Sequence, residues 1–302
     1  MTSGCSQLQL WRFPFIVIDE ILRAMGPYEL HDLSLTSKRA WFLVKSLFAR
    51  CSKIFDLILY VEISEPSYLI VSNAKSFTLK YEYEIFDKVN FEKEITDFME
   101  LFNSPPIVLI LEKTSRIASQ EMIEFSKKWK VAWIVFASDY AHELDDEILN
   151  SCRVSSELRL FCKTPAKMET TLPFAFDRLR ITHGKWIRID HITNLFMSCK
   201  ELILENCAFE ADDFTVLIQK WLENSNLQYI QIDCTRPVFQ KVFENPCFPA
   251  TILNNYIIDG IARRADDGDC FLLHTSHGND HKKAIIFFGS RVNFVMRTDF
   301  EL

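Results

Sequence analysis

Apolar positions recur at helical spacing near the amino end and at strand spacing beyond it. Ile18, Ile21, Leu22 and Met25 fall at i, i+3, i+4 and i+7, one stripe of an amphipathic helix. Pro14 suits the start of that helix, Gly26 its end, and Pro27 opens the next. Leu30 and Leu33 supply the inner face of a second, shorter helix. Trp41, Val44 and Phe48 line a third, with Lys38, Arg39 and Lys45 directed elsewhere. Three helices in under forty residues are too few to complete a durable core alone, so this segment requires a further surface to cover it.

From about residue 53 the pattern changes. Phe55–Ile63, Tyr68–Ser72 and Phe77–Tyr83 read as strands, and Glu92–Phe102 as an amphipathic helix stopped by Pro105-Pro106. Six short strand-like cores follow, opening at Val108, Trp133, Leu158, Leu179, Leu202 and Tyr229. They are 21 to 27 residues apart, and helical patterns fill several gaps. Met122, Phe125, Ser126 and Trp129 share one helical face, and Phe214, Leu217, Ile218 and Trp221 share another after Asp212-Asp213. Strand then helix at this period is the rhythm of a leucine-rich-repeat-like solenoid, with a Leu-x-Leu-x-x-Cys kernel at Leu202, Leu204 and Cys207. A plain α/β sheet with βαβ crossovers gives similar spacing, and both remain open here. Tyr256–Arg264, a turn at Asp266-Asp267-Gly268, then Cys270–Thr275, Ala284–Phe288 and Val292–Met296 read as a β-hairpin or meander.

The predicted fold class is therefore α/β: an N-terminal three-helix segment (10–50), then a body (53–302) with a mostly parallel sheet. Strand–helix units span about 106–235 of that body, and hairpins span 256–298.

Composition adds restraint more than direction. The chain has 302 residues, 7 glycines and 26 phenylalanines, which favours dense packing over flexible linkers. The net charge of −7 argues against nucleic acid as the main partner, and Lys127-Lys128 and Lys282-Lys283 are too small for such a footprint. Nine cysteines form neither a disulfide framework nor a zinc knuckle, and no Asn-x-Ser/Thr sequon occurs. Free thiols in the cytoplasm or nucleus are the expectation. Pro14 and Asp19 interrupt an N-terminus that has no basic region, so no signal peptide is expected. Apolar runs such as Ile107–Leu111 are too short to cross a bilayer, so no membrane is expected as partner.

Motifs for catalysis are missing. There is no Gly-x-Gly-x-x-Gly, P-loop or Gly-x-Ser-x-Gly, and Asp145-Asp146, Asp212-Asp213 and Asp266-Asp267 read as helix starts or a turn. His274, His277 and His281 lie within eight residues, but their setting is a solvated hairpin loop and their spacing matches no closed metal motif. His183 and His191 flank Trp186 with no third group to orient them, and Cys152, Cys162, Cys199 and Cys207 lack a basic partner. No cofactor and no metal is expected, and the phenylalanine surplus reads as core.

Phe13-Pro14, Ile21-Leu22, Pro27, Leu30 and Leu33-Ser34-Leu35-x-Ser37-Lys38 together resemble the F-box, the motif that docks substrate receptors onto the Skp-type linker of cullin–RING ubiquitin ligases. The usual Leu-Pro opening is Phe-Pro here. The resemblance implies that Pro14, Phe15, Ile18, Ile21, Leu22, Met25, Leu30, Leu33, Leu35, Ser37 and Trp41 bind the linker, with some packing the bundle itself. Residues 176–235 are similar to the type-2 F-box-associated domain: Cys199–Leu204, then Asp212-Asp213-Phe214-x-x-Leu217-Ile218-x-x-Trp221, then Leu227–Ile230, with Phe214-Thr215 in place of the usual Leu-Asn. The resemblance implies a non-catalytic adaptor whose partners are the linker, a cullin through it, and a target protein of unknown identity. Its recognition surface would be the open sheet face, the Pro237–Asn255 connection or the C-terminal hairpins. Two alternatives stand beside it: an interaction solenoid whose first helices are only a cap, and an enzyme with no recognisable motif.

Overall fold

A computed structural model describes residues 12–55, 57–64, 67–73, 78–83, 87–112, 116–137, 146–161, 173–174, 176–223, 226–244, 248, 250–253, 255–258, 261–264, 270–274, 283–289 and 293–300. The chain forms two compact units, residues 1–108 with 128–130, and residues 109–127 with 131–302. Each is mixed α and β.

In the first unit, α1 (Phe15–Ala24), α2 (Pro27–Thr36) and α3 (Lys38–Phe55) follow closely on one another. Their boundaries have local causes. Glu29 at the third position of α2 accepts the Gly26 N–H at 2.5 Å, and the Ser37 hydroxyl accepts the Ala40 N–H at 3.2 Å to cap α3. Next come strands β1 (Leu57–Ile63), β2 (Ser67–Asn73) and β3 (Thr78–Tyr83), paired as an antiparallel meander. Alternate β1 residues are buried, the period-two pattern of a half-covered strand. Helix α4 (Lys88–Leu101) starts four residues before the sequence pattern suggests, because the Asp87 carboxylate caps the N–H groups of Val89 and Asn90. It ends ahead of the prolines, with Asn103 and Ser104 at φ of 58° and 54°. These three strands are antiparallel and so are not units of the parallel array.

The division between the units falls within β4 (Ile107–Leu111). In the second unit, α5 (Arg116–Ser126), β5 (Val131–Phe136), α6 (Asp146–Cys152), β6 (Glu157–Leu160) and β7 (Arg178–Ile181) continue the alternation. A short α7 (Ile189–His191) leads to β8 (Glu201–Leu204), α8 (Ala211–Glu223), β9 (Tyr229–Asp233) and α9 (Arg236–Glu244). Strands β5 to β9 are parallel and lie side by side in chain order. Leu158, Leu160, Leu179, Ile181, Leu202, Leu204, Ile230 and Ile232 are all buried on one sheet face. The alternate residues Arg159, Arg178, Arg180, Ile203, Tyr229 and Gln231 are only half-buried. A doubly wound sheet would bury both faces, so the helices of this stretch cover one side. All six strand cores foreseen from the sequence are present, each within two residues of its expected start.

After α9 come β10 (Ala250–Ile252), β11 (Asn255–Ile258), β12 (Ile261–Arg264), β13 (Cys270–His274), β14 (Lys283–Gly289) and β15 (Asn293–Arg297). The unit's strand order is β10-β13-β14-β15-β9-β8-β7-β6-β5, and β15 is antiparallel to β9. The sheet is thus parallel in its array and antiparallel at its C-terminal end. Two expectations need correction. Tyr256–Arg264 holds two strands in place of one: β11 and β12 pair antiparallel. The Pro237–Asn255 connection is partly helical, because α9 buries Phe239 and Val242.

The β7–β9 bends are held by close approaches. Asn206 sits at φ 57°; its backbone N–H donates to the Asp233 carboxylate and its side-chain amide donates to the Thr182 carbonyl at 2.8 Å. One residue thereby ties together the ends of three neighbouring strands. Gly184 donates its N–H to the Glu205 carbonyl at 2.9 Å, and a Cβ there would overlap the Cys207 sulfur. Gly184→Ala should therefore cost about 1–3 kcal/mol of stability, read as a lower urea midpoint at constant slope, while Gly26→Ala, which meets only the mobile end of Glu29 at 3.4 Å, costs less.

Candidate docking site

Helix α1 and the residues just before it hold more apolar side chains than one helix face can bury. Phe13, Pro14, Phe15, Ile16, Val17 and Ile18 are consecutive, so at 100° per residue they surround the helix. Packing of α1 on α3 selects Ile18 and Leu22 for the interior, at 3% and 2% exposure. Outside are left Phe13, Phe15, Ile16 (72% exposed) and Val17, joined by Tyr28, Leu35 (71%) and Phe42 on α2 and α3. Among the described residues, seven of the eleven exposed large apolar side chains lie between Phe13 and Phe42.

The interior of the three helices is formed by Ile18, Leu22, Leu30, Ala40, Val44, Leu47 and Phe48, with His31 and Ser34 also buried. Ser34 donates its hydroxyl to the His31 carbonyl at 2.6 Å. Polar links tie the helices from outside: Asp19 accepts from Arg23 at 2.8 Å and from Arg50 at 2.5 Å, which joins α1 to α3. Hydrogen bonding by Arg23, aided by Arg50, holds the Asp19 carboxyl below its ordinary range.

The residues expected to bind a linker divide into three groups. Pro14, Phe15 and Leu35 are exposed and available. Ile21, Met25, Leu33 and Trp41 are half-buried. Ile18, Leu22 and Leu30 are core and contribute no surface, and so are members of the set that pack the bundle itself. Ser37 is exposed but already acts as the α3 cap. For Pro27 only the backbone place at the start of α2 is described. Ile16, Val17, Tyr28, Phe42 and Phe13 were not foreseen as surface; the signal for the α1 residues was the unbroken apolar run itself.

Other candidate chemistry dissolves on inspection. Cys199, Cys207, Cys234 and Cys270 are free thiols pushed up to about 12 by burial, and burial also raises Cys152, so none is an activated nucleophile. The His191 Nδ1 accepts the Arg188 N–H at 3.0 Å, a helix-start contact. Among the described residues no group of His, Cys, Asp and Glu could hold a metal ion; His274 ends β13, while His277 and His281 lie outside the described residues. No described helix is long and apolar enough to cross a membrane. The open face of the parallel array carries charge in rows: Glu157, Arg178, Glu201, Tyr229 and Arg297 are successive lateral neighbours. Arg178 bonds Glu201 at 2.5 Å and reaches Glu157 at 3.5 Å, and the Arg159 guanidinium lies 4.1 Å from the Trp133 ring centre.

No protein-family model matches the chain, and no curated protein matches it either.

The division between core and surface residues is measurable. Leu22→Ala should destabilise the chain by about 2–4 kcal/mol, whereas Phe15→Ser with Ile16→Ser should change stability by less than about 0.5 kcal/mol while lowering binding of a hydrophobic dye. Equal losses from both substitutions would place Phe15 and Ile16 inside.

Proposed function

We propose that this chain is a substrate-receptor adaptor of a cullin–RING ubiquitin ligase. Helices α1–α3 dock on the Skp-type linker as an F-box, and the second unit holds a target protein as an LRR-like array with a type-2 F-box-associated segment. The observation that carries this reading is the concentration of exposed apolar side chains between Phe13 and Phe42 on a helical segment whose own core is already filled. Exposed apolar clusters of this kind mark interaction surfaces. In the array, sequential parallel strands with one covered face leave the other free for a target. The chain supplies proximity and no bond chemistry: a rigid body raises the concentration of target lysines near the conjugating enzyme.

A second reading has one specific observation in its favour. Burial of Ile18 and Leu22 suits helices that merely cap an interaction module with no ligase link. Exposure of Phe15, Ile16 and Leu35 favours the docking reading, because a cap has no reason to present them.

Affinity purification of the full chain from cells distinguishes the two. The adaptor reading requires recovery of the linker and a cullin, with loss of at least about tenfold for Ile16→Asp, because a carboxylate would be forced into an apolar contact. Circular dichroism confirms that the variant is folded. Failure to recover the linker, or recovery unaffected by Ile16→Asp, leaves the capped-module reading.

A further inference from the structure

His31 sits where α2, β3 and α4 of the first unit meet. Its ring projects from α2 and is 7% exposed. Phe98 of α4 stacks on it with ring centres 5.3 Å apart, and Phe102 follows at 6.3 Å. Tyr81 of β3 meets the ring edge-on at 5.6 Å, and its hydroxyl lies 3.0 Å from the His31 Nδ1. A cavity of about 440 Å³ opens beside the ring, lined also by Trp41 and by the exposed Leu35. Leu35 follows His31 by one turn of the same helix, so whatever moves His31 moves Leu35.

Charged and titratable groups face the ring from each element packed on it. On α2 the Asp32 carboxylate lies 3.7 Å from the Nδ1, and Tyr28 acts on Tyr81. From β3 comes the Tyr81 hydroxyl, pushed up to about 12 chiefly by burial, so it stays neutral. From α4, Glu94 and Asp97 line the neighbouring cavity. From α3, Lys45 lies 4.6 Å from the Trp41 ring centre and pairs with Glu100 of α4 at 3.3 Å. Asp32 and the stacked rings favour a charged imidazole, but the Asp32 side chain is 56% exposed and water screens its pull. Lost hydration among the rings outweighs them, and the His31 pKa stands below its ordinary value of 6.5.

We propose that His31 is a proton-sensitive latch for α2: gain of a proton releases the helix from β3 and α4, and with it the exposed Tyr28 and Leu35. Burial sets the direction. A histidine held neutral in the folded state contributes stability that is complete well above 6.5 and is lost as the pH falls below it. Once released, the ring titrates in water, so the balance between seated and released α2 shifts by up to about tenfold between about pH 7.5 and about pH 5.5. The latch concerns packing inside this unit and holds whether or not the helices dock on a ligase linker.

Hydrogen exchange of the full chain tests this, read as protection factors so that intrinsic rates cancel. Over that pH interval, amides 31–36 of α2 should lose about three- to tenfold in protection, while amides 42–50 of α3 keep theirs. In His31→Gln, which takes up no proton there, α2 protection should be equal at both pH values. An α2 indifferent to pH in the unsubstituted chain, an equal loss in α3, or a loss that persists in His31→Gln overturns the inference. Should that variant not fold, the imidazole resonances of the unsubstituted chain decide. The His31 signal, identified by its contacts with Phe98 protons, should titrate below 6.5, and titration at or above 6.5 overturns the latch. Recovery of the ligase linker from cells at neutral pH is unaffected by any of these results, so the two proposals fail separately.

Discussion

Three short helices cannot enclose all the apolar side chains that the first forty-odd residues carry. Once α1 lies on α3, Ile18 and Leu22 fill the available interior beside Val44, Leu47 and Phe48. Phe15 and Ile16 then have nowhere to go, because they project from other sides of the same helix. Burying one set dictates exposure of the other, and every functional statement about this end of the molecule follows from that geometric excess. The polar links from Asp19 to Arg23 and Arg50 fix α1 against α3, and the Arg50 guanidinium lies 5.8 Å from the Phe15 ring centre, so the surface is presented on a held framework.

The second unit obeys a different constraint. Its parallel strands β5–β9 are short and sequential, and β7, β8 and β9 each alternate between a buried, dry face and a half-buried, wet one. The dry face is aliphatic and aromatic, extended by packed rings such as Phe214 with Phe294 at 4.7 Å and Phe243 stacked on Phe271 at 3.7 Å. Here lies much of the phenylalanine surplus. The wet face answers with alternating arginine and glutamate, so a row of charges is neutralised laterally across strands. Glu157 is buried, yet Arg159 reaches it at 2.6 Å and Arg178 lies close by.

Much of this was legible from spacing. Strand positions followed from the recurrence of apolar cores, and the α8 face from Phe214, Leu217, Ile218 and Trp221, all four of which are buried. Trp221 also donates its indole N–H to the Leu227 carbonyl at 2.9 Å, which links the helix to the approach of β9. Less legible was which apolar residue faces in. Periodicity gave the α1 stripe but not its division into core and surface, since that depends on where α3 lies. His31 and Ser34 were invisible for a related reason: polar residues do not enter an apolar pattern, yet His31 meets Tyr81 through the tertiary arrangement and Ser34 bonds the His31 carbonyl within its own helix. The packing of Tyr81 and Phe98 against His31 is hidden in the same way, because both are far from it in the chain. The Tyr256–Arg264 segment did not show from its pattern alone that it divides into two antiparallel strands.

The strand reversal at β9 bears on how this architecture can change. With β15 running opposite to β9, the last parallel strand has no vacant edge on which another strand–helix unit could be added. Lineages that lengthen such an array by tandem duplication must insert the new copy between existing units, where it would have to inherit the left-handed turn of Asn206 and the contact beneath Gly184. The C-terminal meander acts as a terminator that closes this edge of the array.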